Sequence, residues 1–206
     1  MNAETIFKYF PALTPKQKEQ FKDMASLYSA WNAKVNLISR KDIDNLYIKH
    51  VLHSLAIAKG IDFSKGIKSV IDVGTGGGFP GVPLAVLFPS VQFHLVDSIA
   101  KKVKAVEDIA KQLSLKNVTT EAVRAERITE KRDLVLGRGV ANLFKFYQLT
   151  KHLTNRQGNL AYLKGPEGSA ELAAAGIKFK KMNISSFFEG EFFLSKALYY
   201  SIYFNS

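Results

Sequence analysis

The sequence predicts an α/β fold: a doubly wound, mostly parallel seven-stranded sheet that closes with an antiparallel hairpin and carries a helical N-terminal extension. Three observations lead there. Before Ser69 the apolar residues recur at helical spacing, and from Ser69 onward short β-branched runs alternate with helical stretches. At the far end, two β-rich segments follow one another with no room for a helix between them, which favours an antiparallel return.

Thr14-Pro15-Lys16-Gln17 reads as an N-cap, a proline at the first helical position and a capping-box glutamine. Phe21, Met24, Ala25, Tyr28 and Trp31 then mark the apolar face of an amphipathic helix. A second helix is expected from Asp42 past Leu46, His50, Val51, Leu55 and Ala58, with Gly60 as its C-terminal stop. Residues 1–60 therefore form a helical extension, and residues 61–206 a Rossmann-like unit packed with it into one compact body.

That unit opens with a strand at 69–73 and a helix near 83–88 stopped by Pro89. Strands are expected at 92–96, 118–122, 134–137 and 159–164, and helices at 99–113, 143–153 and 170–175. The segments 177–187 and 196–204 make the terminal hairpin.

Lysine and arginine total 29 against 18 acids, a net charge of +11, which favours polyanionic partners, nucleic acid before anionic membrane. The absence of cysteine excludes disulfides, thiolate zinc sites, iron–sulfur clusters and cysteine nucleophiles. No apolar run approaches the roughly 18 residues of a membrane span, and the first residues lack a basic leader, so a cytoplasmic protein is expected. His53, His94 and His152 have no ligand spacing, so no metal is expected.

Val73-Gly74-Thr75-Gly76-Gly77-Gly78-Phe79-Pro80-Gly81 follows the first strand directly and precedes a helix, where open α/β sheets hold nucleotide-like ligands. Residues 76–81 also satisfy G-x-G-x-x-G, so a nicotinamide dinucleotide has to be weighed. Asp72 argues against it, because a carboxylate beside this turn opposes the charge of a pyrophosphate. S-adenosylmethionine has no phosphate, and its ammonium and sulfonium are helped by an acid at the end of the first strand. Asp97, ending the second strand, is placed to accept from ribose hydroxyls, or to cap the following helix, or both.

The methyl acceptor can be narrowed. Methylation at pyrimidine carbon-5 usually needs a cysteine, and the Asn/Asp-Pro-Pro-aromatic motif of amino-group methylation is replaced by Leu136-Gly137-Arg138-Gly139-Val140-Ala141-Asn142. A purine ring nitrogen already has an in-plane lone pair, so positioning can supply most of the rate without a general base.

Several stretches together resemble the bacterial small-subunit ribosomal RNA guanine-N(7) methyltransferases, also called glucose-inhibited division protein B. They are Trp31-Asn32 with Asn36-Leu37, Lys49-His50-Val51-Leu52-His53-Ser54, and the run from Ile71 through the glycine loop to Leu84. Val96-Asp97-Ser98 with Lys101-Lys102, Arg124-Ala125-Glu126, Arg138 with Ala141, and Leu163-Lys164-Gly165 complete the match. The resemblance implies that Gly74 and Phe79 line the donor site, that Ala125 and Glu126 frame its adenine, and that Arg138 sits beside donor and target base. It also places His50 near the mouth of that site.

Candidate donor-site residues are therefore Asp72, Gly74, Thr75, Gly76, Gly78, Phe79, Asp97, Ser98, Ala125, Glu126 and Arg138. Arg138 and His50 are the catalytic candidates. Arg138 falls just past a strand's carboxyl end, where a fixed guanidinium can hold phosphate or carboxylate. RNA-contact candidates are Lys164 at the end of the next strand, Arg124, Lys101 and Lys102 from two basic runs, and Asn36. The second run, Arg124, Arg127, Lys131 and Arg132, is expected on the ligand-binding edge. Gly77 and Gly139 depart modestly from the family pattern, and Lys196 stands where an arginine is usual. The expected protein is a monomeric, S-adenosylmethionine-dependent methyltransferase acting on guanine-N(7) of 16S ribosomal RNA or the small subunit. A nicotinamide-dependent oxidoreductase and a non-catalytic RNA-binding module are the alternatives.

Overall fold

In the computed structural model, seven strands form one sheet: β1 (Ser69–Val73), β2 (Gln92–Asp97), β3 (Val118–Ala122), β4 (Arg132–Arg138), β5 (Thr154–Lys164), β6 (Lys180–Asn183) and β7 (Ala197–Ser201). They lie in the order β3-β2-β1-β4-β5-β7-β6. The first five are parallel, and β7 runs antiparallel between β5 and β6. The structure describes residues 2–165, 167–174 and 179–201. Residue 175 of the helix expected at 170–175, and 177–178 and 202–204 of the expected hairpin, lie outside them.

The helices are α1 (Glu4–Tyr9), α2 (Pro15–Asn32), α3 (His53–Gly60), α4 (Gly81–Leu87), α5 (Ala100–Gln112), α6 (Leu143–Thr150), α7 (Gly168–Ala174) and α8 (Glu191–Leu194). The Thr14 capping box forms as expected, and Phe21, Met24 and Tyr28 of α2 are buried. They share one apolar cluster with Val82 and Leu84 of α4 and Val106 and Ile109 of α5. Polar ties reinforce this: Trp31 Nε1 donates to Asp108 at 2.7 Å and Gln20 to the Leu113 carbonyl at 2.6 Å. A second cluster, with Val135, Phe146 and Tyr162, fills the other face of the sheet.

Two expectations need correction. The second helix is not one α-helix: a 3-10 turn at Ile43–Asn45 leads into a π-helical stretch, Leu46–Leu52, before α3 begins. Apolar periodicity reads straight through such a change, because the same face stays buried. Gly60 ends α3 as expected, and a Cβ there would lie 2.6 Å from Leu198 Cδ2, so close packing favours the glycine. The link between β6 and β7 does hold helical turns, Ile184–Ser186 and α8. Phe188 and Phe193 from this link are buried, with the Phe188 ring 4.9 Å from that of Tyr9. Apolar burial, rather than hairpin geometry, sets the length of that connection.

Candidate active site

Strand order reverses at β1, whose neighbours are β2 and β4, so the carboxyl ends of these strands form a topological switch point. A cavity of about 590 Å³ lies there, within the range of small-molecule sites. Its walls come from the loop after β1, from Asp97 and Ser98 after β2, from Arg124, Ala125 and Glu126 after β3, and from Arg138 to Val140 after β4. Leu37, Ile38 and His50 of the N-terminal segment close it from above.

The glycine loop is held by the two predicted acids. Asp97 accepts the Gly76 N–H on Oδ2 and the Ile99 N–H on Oδ1, each at 2.9 Å. Gly76 is left-handed, φ +58°, a conformation that costs a residue with a Cβ. Each Asp97 oxygen keeps a lone pair for a ligand hydroxyl. Asp72 lies beneath the loop rather than in the cavity wall: its Oδ2 accepts from Thr75 Oγ1 at 2.6 Å and from the Gly81 N–H at 2.9 Å. Its Oδ1 is buried without a partner among the described residues, and burial pushes the carboxyl up to about 6. A floor with a buried, half-satisfied carboxylate and a rim acid with spare acceptor capacity suit a cationic, phosphate-free nucleoside and fit S-adenosylmethionine.

Arg138 links this floor to the extension. Its guanidinium lies over the Phe79 ring, 5.1 Å from the centroid. It donates to the Lys49 carbonyl at 3.3 Å and, through its other terminal nitrogen, shares a 3.1 Å contact with His50 Nδ1. These partners sit in the π-helical stretch; such stretches often mark functional sites. Because the guanidinium can only donate, Nδ1 accepts, and Nε2 carries the His50 proton. That Nε2 is buried without a partner among the described residues. Burial, reinforced by Arg138, holds the His50 pKa down at about 3, and burial lowers Arg138 to about 10, leaving it charged at neutral pH. Tyr28 of α2 donates to the Gly77 carbonyl at 2.8 Å and stands 4.8 Å from the Phe79 ring, tying the extension to the loop again.

A second cavity, about 380 Å³, adjoins the first through Arg138, Gly139 and Val140. Its walls include His53, Tyr162, Lys164, Glu167 and Lys196.

Of the predicted donor residues, Gly74, Thr75, Gly76, Phe79, Asp97, Ser98, Ala125, Glu126 and Arg138 wall the first cavity, and Asp72 and Gly78 do not. Gly78 serves the turn and its packing: its φ is +86°, and a Cβ there would meet Val82 at 2.7 Å and the Tyr28 hydroxyl at 3.1 Å. Arg124 and Lys102 reach the wall; Lys101 and Asn36 are exposed outside it. Asn32 Oδ1, accepting from the Leu37 and Ile38 N–H groups at 2.9 and 3.0 Å, shapes the segment that covers the site. Lys164 faces the second cavity and pairs with Glu171 at 3.1 Å. Arg132, expected on the ligand edge, instead begins β4 at the opposite edge and pairs with Glu130, because a parallel strand must start at the end remote from its site. Among the described residues no cluster of three potential metal ligands occurs, and no helix is long and apolar enough to cross a membrane. Sequence reading missed Gly77, Leu37 and Ile38 as wall residues and gave His53 no part; in the last case a histidine beside the His50 segment was the available signal.

A sheet of this order, with a glycine loop after β1 and an acid ending β2, defines a class I S-adenosylmethionine-dependent methyltransferase fold. A solved S-adenosylmethionine-dependent methyltransferase from Aquifex aeolicus shares it, with a TM-score of 0.56 and 19% identity over 79% of this chain and 97% of that one. The family model for GidB, rRNA small subunit methyltransferase G, matches residues 17–192. The ribosomal RNA small subunit methyltransferase G of Porphyromonas gingivalis is 48% identical, covering 96% of this chain and 92% of that protein. Its counterpart from Bacteroides thetaiotaomicron is 49% identical, covering 96% and 98%. The chain belongs to the GidB family, and the nicotinamide alternative falls with that membership.

Proposed function

We propose that this protein methylates N7 of a guanine in 16S ribosomal RNA, using S-adenosylmethionine. The observation that carries the reading is the paired arrangement of cavities, one suited to the donor and one beside it for a base, meeting at Arg138. The relatives, named for the small-subunit ribosomal RNA, support the substrate class. When bound, S-adenosylmethionine supplies an electrophilic methyl group on a positively charged sulfur.

Asp97 accepts from the ribose hydroxyls, Ala125 and Glu126 border the adenine, and Phe79 with the glycine loop shapes the methionine end. Asp72 sets a negative field beneath the donor's cationic centres without touching them. Guanine N7 attacks with a lone pair already in the ring plane, so no proton leaves before the methyl transfers, and in-line placement is the main requirement. His50 agrees with this: its pKa of about 3 makes it a poor base at neutral pH. It is a positioning residue, which with the Lys49 carbonyl aims Arg138 at the junction of the cavities. Arg138 then holds the donor carboxylate or an RNA phosphate there.

Arg124, Lys102, Lys101, Lys164 and Asn36 contact RNA around the two mouths, aided by the +11 net charge. The protein acts as a monomer in the cytoplasm, where its substrate lies. The test is to incubate it with methyl-labelled S-adenosylmethionine and small subunits from a strain lacking the gene, then map label by cleavage at N7-methylated guanines. Label at one guanine establishes reaction and substrate. Donor binding without label on any small-subunit RNA would refute the proposal and favour a non-catalytic RNA-binding protein.

A further inference from the structure

The loop that divides the two cavities, residues 139–142 between β4 and α6, is held from behind by one buried hydroxyl. Tyr162 of β5 is fully buried, its ring 4.7 Å from that of Phe146. Its hydroxyl accepts the Val140 and Ala141 N–H groups at 3.0 and 3.2 Å and donates to the Ala141 carbonyl at 2.8 Å. One donor and two lone pairs are thereby all used. These bonds are not the cap of α6, which has its own: Asn142 Oδ1 accepts the Lys145 N–H at 2.7 Å, and Glu171 of α7 accepts the Leu143 N–H at 2.5 Å. Gly139 begins the loop in the left-handed region, φ +66°, with open space where a Cβ would stand. Left-handed backbone at one end and the Tyr162 hydroxyl in the middle set the loop's course.

What they place is Val140. Gly139 and Val140 wall both cavities, and the Val140 side chain crowds the glycine loop: a Cβ on Gly74 would lie 2.6 Å from Val140 Cγ2. Val140 nevertheless keeps 38% of its surface exposed, an apolar face at the junction that a seated donor and base would cover. We propose that Tyr162 is a positioning residue for methyl transfer: its hydroxyl holds Val140 against the glycine loop, so that the wall shared by the two cavities fixes the approach of the base to the methyl group. Displacing this wall by about an ångström disturbs the in-line geometry on which the rate depends, while Asp97, Arg124 and Lys102 stand on other elements. The inference rests on the proposed seating of a base in the second cavity and adds the group that sets its approach.

The test compares Tyr162→Phe, which keeps the ring against Phe146 and removes only the hydroxyl, with Val140→Ala and with the double variant. Small subunits from a strain lacking the gene are methylated in single turnover at saturating S-adenosylmethionine. The steady-state KM for the subunit, the affinity for S-adenosylhomocysteine and the urea unfolding midpoint are measured beside that rate. Tyr162→Phe is expected to slow the single-turnover rate by about 10- to 100-fold, with KM for the subunit within about twofold of its original value. Val140→Ala is expected to slow it by about 10-fold, and the double variant little more than the slower single one, because the first residue acts through the second. A lowered midpoint with an unchanged rate overturns the inference, since the hydroxyl would then be a structural bond only; losses that simply multiply in the double variant overturn it too. Should Tyr162→Phe fail to fold, Ala141→Gly loosens the same loop without touching the core and takes its place in the comparison. Absence of transfer by the unsubstituted protein overturns the methylation reading, and this inference with it.

Discussion

Asp72→Asn probes the charge buried under the glycine loop. The carboxyl is fully enclosed, with one oxygen bonded to Thr75 and Gly81 and the other unpartnered. Burial raises its pKa from 3.8 to about 6, against the downward pulls of those two hydrogen bonds and of Arg138. In the unfolded chain the group ionises near its ordinary value; in the folded chain it holds its proton about two units longer. Between those values the folded state binds more protons, so stability falls as pH rises through the window and levels off above pH 6. At about 1.4 kcal/mol per unit the fall is about 3 kcal/mol. Asn removes the titration, although its amide nitrogen, standing where Oδ1 stood, lacks an acceptor and costs about 1–3 kcal/mol at every pH. The decisive quantity is therefore the pH dependence of the difference between the two proteins, measured by urea unfolding from pH 4 to pH 8. That difference is expected to shift by about 2.4 kcal/mol in favour of Asn from pH 4 to pH 7, because at pH 4 the unfolded carboxyl is already more than half ionised. A difference that stays flat refutes the buried, strained carboxylate. Calorimetry adds a second arm: donor affinity should rise with pH through 6 in the native protein and lose that rise in Asp72→Asn, since a ligand whose ammonium and sulfonium lie above the carboxyl favours the ionised form.

Three further substitutions divide the site by role. Arg138→Ala should lower methyl transfer by about 100-fold or more, the scale of losing a positioning group, with the far-ultraviolet circular dichroism retained; normal turnover would remove Arg138 from the reaction. Asp97→Ala should weaken donor binding by about 10- to 100-fold, because the ribose and the Gly76 N–H both lose their acceptor, while RNA affinity stays constant by filter binding. Unchanged donor affinity in calorimetry would contradict that. Tyr28→Phe leaves the Gly77 carbonyl without its 2.8 Å partner and should cost about 1–3 kcal/mol in urea unfolding; a loss within experimental error would mean that the extension does not brace the loop through this bond.

What the sequence could reveal followed from the range of the interactions involved. The strands, the capping box of α2 and the glycine loop rest on local patterns: alternation, a four-residue cap, a turn that needs left-handed backbone. Asp97 was legible because a single acid at the end of β2 faces whatever the loop holds. Gly60 ends its helix as expected, but its packing against the distant Leu198 was not legible, and Gly78 serves both a left-handed backbone, φ +86°, and close packing against Val82 and Tyr28; a glycine in a sequence does not say whether it serves a backbone angle or a neighbour. The π-helical stretch was invisible for the same reason. Its Lys49 and His50 carbonyls are met by Arg138, 89 and 88 residues away, and its apolar face repeats as an ordinary helix would. His50 and His53 look equivalent in Lys49-His50-Val51-Leu52-His53-Ser54. The structure separates them: Arg138 meets Nδ1 of His50 at 3.1 Å and leaves Nε2 the donor, whereas the ring of His53 packs edge-on against Phe192. A difference of this kind is set by the partner each ring meets in three dimensions, so it enters only with the fold.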